Sequence, residues 1–171
     1  VEMEAHRDTR VAELSAREAR NLLEVRTTLE VLAIELACNR ATRPQLFSMT
    51  KAFAGVSRRD YRLTDNALLA HRQFHHSIHD ASGNAALVAT LERIYDQCDR
   101  YVRFGIRAAR ETLGITDDYG EHTQMIELIT AHDEQSAGHL MRAHVQNSLL
   151  SLAMNFLSAT EASQNGAIAG D

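Results

Sequence analysis

A single proline, Pro44, occurs in 171 residues, and the apolar residues between the few chain breaks recur every three or four positions rather than every two. Proline costs about 3 kcal/mol in a helix interior, so its near-absence lets long Ala, Leu, Glu and Arg stretches stay helical. The spacing decides for helix over strand. At about 100° per residue, Leu22, Val25, Leu29, Leu32 and Leu36 form one stripe while Val31, Ile34 and Cys38 form a second. A helix apolar on two sides is either central or placed at a subunit contact. The fold class read from this pattern is all-α.

Six helices are predicted. The first runs from about Ser15 to Asn39. Thr42 or Arg43 opens the second, with Pro44 in its first turn, Leu46, Met49 and Phe53 inward, and a stop near Gly55. The third spans Asp60, read as its N-cap, to about Ser82, with Gly83 as the stop. Asn84 caps a fourth that reaches Arg110 and turns Leu87, Leu91, Ile94, Cys98 and Tyr101 inward. A fifth covers about Thr116 to Ala131, and a sixth Asp133 to about Ser158. Short connections make neighbours antiparallel, so the expected architecture is an antiparallel bundle.

Composition narrows the function. Apolar residues make up 44% of the chain and charged residues 24%, the usage of one globular domain. The net charge of −5 comes with no dense Lys/Arg block, which speaks against direct DNA binding by this segment. Cys38 and Cys98 both lie inside apolar helical patterns, as in a reduced, cytoplasmic protein. No apolar run approaches the roughly 18–20 residues of a membrane span, and no signal-peptide pattern opens the chain.

Four histidines fall on inward faces. In HRQFH, His71 and His75 are one helical turn apart, on an arc shared with Leu63, Ala67, Leu68, Phe74 and Ile78. His122 lies with Tyr119, Met125, Ile126 and Ile129, and His144 with Ala137, Leu140 and Met141. Each buried, unpartnered imidazole costs about 1–3 kcal/mol against a total stability of roughly 5–15 kcal/mol. A divalent transition metal removes that cost for all four; zinc is the first choice, and nickel, iron, manganese and copper are alternatives. His6, His76, His79 and His139 read as surface residues. Asn147, Ser148, Ser151 and Asn155 continue the His144 face with small polar groups, so the bundle is expected to surround a central metal and ligand cavity. Arg26, set among Leu22, Leu29 and Ala33, reads as an arginine that snorkels or pairs with a carboxylate such as Glu30.

The segments RTTLEVLAIELA, HRQFHHSIHDASGN, EHTQMIELI with AHD, and AGHLMRAH, in that order, resemble the FCD effector-binding domain of GntR-family transcriptional regulators, in the FadR-like branch. The likeness runs from about Glu18 to Leu157. It implies an all-α bundle of six or seven helices around a metal held by an Asp and three His, with a small organic acid as effector. By position, His75, His122 and His144 match the family histidines, and His71 stands where the family has its Asp. Arg26 matches the arginine of the R-x-x-L-E pattern, which implies a clamp on an effector carboxylate with Asn147, Ser148 and Ser151 nearby. The resemblance further implies a homodimer that modulates operator affinity and reaches DNA only through a preceding winged helix-turn-helix domain. Residues 1–14 are then a helix or linker from that domain, 15–158 the effector-binding and dimerisation domain, and 159–171 a flexible tail. No catalysis is required.

Two other readings compete. An HD-type metal-dependent phosphohydrolase would use His79-Asp80 or His132-Asp133, although Glu121 and Glu127 project off the His122 face and leave only Asp133 to approach His144. A purely structural dimerisation module would hold an accidental histidine cluster and no metal. Coordinating imidazoles must be neutral, so a metal held by histidines is expected to leave below about pH 6.

Overall fold

A computed structural model of the chain describes residues 13–54, 64–112 and 119–168. Among these residues there are seven helices: α1 (Ala16–Arg40), α2 (Arg43–Ala54), α3 (Asp65–Ala81), α4 (Ala85–Thr112), α5 (Tyr119–Thr130), α6 (Glu134–Gln146) and α7 (Leu149–Ile168). Their ends follow local chemistry. Ser15 caps α1 by accepting from Glu18 N at 3.4 Å, and Asn84 Oδ1 accepts from Leu87 N at 3.2 Å at the start of α4. Pro44 sits in the first turn of α2, where its missing N–H is not needed. Gly83, at φ +63°, takes the left-handed conformation that lets the chain reverse from α3 into α4.

Three boundaries differ from the sequence reading. The N-cap of α3 is Thr64, whose hydroxyl accepts from Ala67 N at 3.1 Å; Asp60, like the start of the predicted linker, lies outside the described residues. The expected sixth helix is two. It breaks at Asn147 and Ser148, where Ser148 N turns to Val145 O at 3.2 Å, and α7 then continues to Ile168, through the segment expected to fray. Nothing in the local sequence marks that break. Just beyond it, Gly105 on α4 lets the Leu149 backbone approach so closely that a Cβ there would overlap the Leu149 carbonyl.

α1 is the central helix, packed against α3, α4, α5, α6 and α7, and its Ala33, Ile34, Ala37 and Cys38 have no solvent exposure. Its two apolar stripes are explained by different neighbours. Val31, Ile34 and Cys38 join Phe74, Ile78, Met125, Ile129 and Met141 in the main core, whereas Leu29 and Leu36 pack on Leu87 and Leu91 of α4. Val25 and Leu32, from the same stripe as Leu29 and Leu36, remain 45% and 41% exposed. Among the described residues no helix is long and apolar enough to cross a membrane.

Candidate metal centre

The bundle brings all four predicted histidines together. His71 and His75 come from α3, His122 from the first turn of α5 and His144 from the last turn of α6. One ring nitrogen from each lies within 4.8 Å of the others, and the ring centroids are 4.5–6.0 Å apart. Donors bound to one ion at about 2.1 Å can be no more than about 4.2 Å apart, so the cluster is close to closing on a cation. His75, His122 and His144 are buried and His71 is half-buried. Phe74 and Phe53 wall the His122 ring at 4.9 and 5.9 Å.

Carboxylates stand behind two of these rings. Nδ1–H of His75 donates to Glu30 Oε2 at 3.1 Å, and Nδ1–H of His144 to Glu121 Oε2 at 2.7 Å. A histidine that donates from Nδ1 keeps its lone pair on Nε2. In His75 that Nε2 is buried and has no hydrogen-bond partner, an acceptor of the kind a cation would satisfy. Burial lowers the His75 pKa to about 4, only partly offset by Glu30, so the ring is neutral near pH 7, as coordination requires. Cys98 is close by, but burial pushes its thiol up to about 11, so it offers no thiolate.

Glu30 is the hub of the site. Its Oε1 accepts from Arg26 Nε at 3.0 Å and Tyr95 OH at 2.5 Å, and its Oε2 from His75 and from His79 Nε2, the latter at 3.0 Å. Burial alone would raise its pKa, but the pull of His75, His79 and Arg26 prevails and holds it well below the usual carboxylate range. Among these partners Arg26 carries a permanent positive charge. Arg26 is 3% exposed, and a second nitrogen, Nη2, donates to Tyr95 OH at 3.0 Å. The pairing of Arg26 with Glu30 is as the sequence allows, and Arg26 also lines a pocket.

That pocket, about 60 Å³, lies between Arg26, Leu68, His71, Tyr95, Cys98 and Ser148. It is a small pocket that touches the histidine cluster through His71. The Ser148 hydroxyl is buried without a hydrogen-bond partner. Asn147, also expected to face the ligand, is instead exposed and forms the C-cap of α6, while Ser151 is half-buried on α7 and Asn155 is exposed. The helix break turns Asn147 away from the histidine face.

His79 departs from the sequence reading, and Glu121 finds its partner on another helix. His79, expected at the surface, is 2% exposed because Glu30 draws it inward. Glu121 projects off the His122 face of its own helix and for that reason reaches His144 on the next one. The hydrolase dipeptides do other work. Asp80 is exposed while His79 is buried. His132 takes a left-handed φ of 58° to end α5, and Asp133 caps α6 through Ser136 N at 3.1 Å. Neither pair reaches the histidine cluster as an acid–base couple, so the HD-type reading is not supported.

Residues 21–147 match the family model described as FCD domain. This chain belongs to the FCD domain family. The FCD resemblance carried by the histidine motifs thus holds. The HTH-type transcriptional repressor GlaR of Escherichia coli (strain K12) is 25% identical over 146 residues, which cover 80% of this chain and 64% of the repressor. A transcriptional regulator of the GntR family from Pseudomonas syringae pv. tomato str. DC3000, known as a crystal structure, superposes with a TM-score of 0.71 at 19% identity. That superposition covers 90% of this chain and 62% of the other. This chain therefore spans a little under two thirds of either relative.

Proposed function

We propose that this FCD domain is the effector-sensing, dimerising part of a cytoplasmic DNA-binding regulator. The observation that carries the reading is the convergence of four imidazoles around the orphaned Nε2 of His75. His71, His75, His122 and His144 would hold a divalent transition metal, zinc before nickel, iron, manganese or copper, because an all-nitrogen donor set suits borderline cations. When bound, such an ion supplies a Lewis-acidic position able to accept a carboxylate oxygen. His71 lies on both the cluster and the pocket, so a small organic acid in the pocket can reach that position. Arg26 and the unsatisfied Ser148 hydroxyl orient it there.

Binding would adjust the geometry of a homodimer and hence the operator affinity of a winged helix-turn-helix domain elsewhere in the regulator. A coupling of about 1–3 kcal/mol changes affinity by roughly 5–150-fold, enough for a switch. The test is elemental analysis of protein purified without a histidine tag, followed by melting of the metal-loaded protein with a panel of organic acids. One bound metal per chain and a raised Tm with at least one acid are expected. Absence of metal, with no loss of stability on adding chelator, would favour a purely structural dimerisation module.

A further inference from the structure

The Glu30, His75 and His79 group brings three ligand-type atoms together and could be taken for a second metal site. Its surroundings argue otherwise. Both Glu30 oxygens are already engaged, one by Arg26 and Tyr95 and the other by the two imidazoles. A cation there would also face the Arg26 guanidinium. A carboxylate with 0% side-chain exposure is costly unless every lone pair is used, and here the donors use them.

Glu121 points the same way from the opposite side of the centre. Its side chain is 34% exposed, so water could solvate it, yet it turns inward to a His144 ring that is only 1% exposed. The neighbouring residue, His122, itself belongs to the histidine cluster. α5 thus supplies one ring to the cluster and the support for the ring on α6, while α1 supplies the support for a ring on α3.

We infer that Glu30 and Glu121 are positioning residues of the metal centre, each holding Nδ1–H of one histidine so that its Nε2 faces the ion. This rests on the metal-binding reading above. Supports of this kind raise the basicity of the bound ring and fix its rotation, and their loss typically weakens metal binding about 10–100-fold.

The test compares E121A, E121Q and the unaltered protein by zinc competition against a chromophoric chelator. Two-dimensional ¹⁵N spectra of the histidine rings in metal-free protein report the tautomers. E121A should bind zinc about 10–100-fold more weakly, and its His144 should shift toward the Nε2–H tautomer. E121Q, whose amide oxygen still accepts from Nδ1, should recover most of the affinity. Glu30 needs no variant, because the unaltered protein should show His75 as the Nδ1–H tautomer. An Nε2–H form of His75, or zinc affinity of E121A within about threefold of the unaltered protein rather than the expected loss, overturns the inference alone. Failure of the unaltered protein to bind zinc overturns the metal reading and the inference together.

Discussion

The substitution Glu30→Gln probes the hub of the fold and of the site at once. Glu30 accepts four hydrogen bonds in a fully buried position. Gln keeps one acceptor oxygen and presents an NH₂ where the other stood, so one of the two donor pairs meets a donor. The larger effect is on Arg26, 3% exposed, which loses its counter-charge while staying desolvated. Removing one partner of a buried ion pair costs about 3–5 kcal/mol. At roughly 2–4 °C per kcal/mol for a domain of this size, Tm of the metal-free protein should fall by about 6–20 °C. Thermal and urea unfolding followed by far-UV circular dichroism measure it. The double variant R26M/E30Q removes the stranded charge and should be more stable than E30Q alone. An E30Q penalty under about 1 kcal/mol, against the 3–5 expected, or single-variant costs that simply add in the double, would refute this account of the hub.

Other expectations follow from the same geometry. Acid should weaken the metal-free protein: His75 takes up a proton at its ordinary 6.5 when unfolded but only at about 4 when folded, so stability is intact above pH 6.5 and falls toward pH 4. At about 1.4 kcal/mol per tenfold in proton affinity, that loss reaches about 3 kcal/mol, and Glu30 adds to it below its ordinary 4.5; a flat urea midpoint across this range contradicts it. Gly105→Ala should cost about 1–3 kcal/mol because the obstruction is the Leu149 backbone. Gly138→Ala should be near neutral, since the atom 2.5 Å away is the carboxylate end of Glu35, which can rotate, and alanine regains about 1 kcal/mol of helix propensity. His71→Asp should keep a metal but narrow the preference for zinc over Mn²⁺, because a carboxylate is the harder ligand; an unchanged affinity ratio would show that His71 takes no part.

What could be read in the sequence were properties of single helices. The two stripes of α1, the caps at Ser15 and Asn84, Pro44 in a first turn, Gly83 at a reversal and the inward histidines all depend on residues within one turn of each other. What escaped notice depends on a neighbouring helix. His79 lies at the edge of its apolar arc, and only Glu30 from α1 makes the interior favourable for it. Glu121 looks outward on α5, and it is the crossing of α6 that turns outward into toward His144. The start of α7 packs closely on Gly105 of α4, a contact no local pattern announces. Asn147, assigned to the ligand face by extending one continuous helix, was displaced by the α6–α7 break.

The charges around the pocket determine what an anionic ligand can depend on. Arg26, the residue a carboxylate would first be expected to seek, is already neutralised by Glu30 and shares Tyr95 OH with it. It offers direction more than net charge. The cluster consists of four imidazoles, with His71 standing where the FCD resemblance has an Asp, and both supporting carboxylates stand behind the rings. A divalent ion held there therefore keeps its full charge toward the pocket, undiminished by a directly bound anionic side chain, and Coulomb attraction at about 4 Å in a partly buried site is worth several times its value in water. Binding of a small carboxylate should accordingly depend on the metal rather than on Arg26. With acetate and malonate as probes, the rise in Tm should be present in zinc-loaded protein and absent after chelation and dialysis. An equal rise in the metal-free protein would assign the attraction to Arg26 and its surroundings instead, and would refute the proposed role of the imidazole-bound ion.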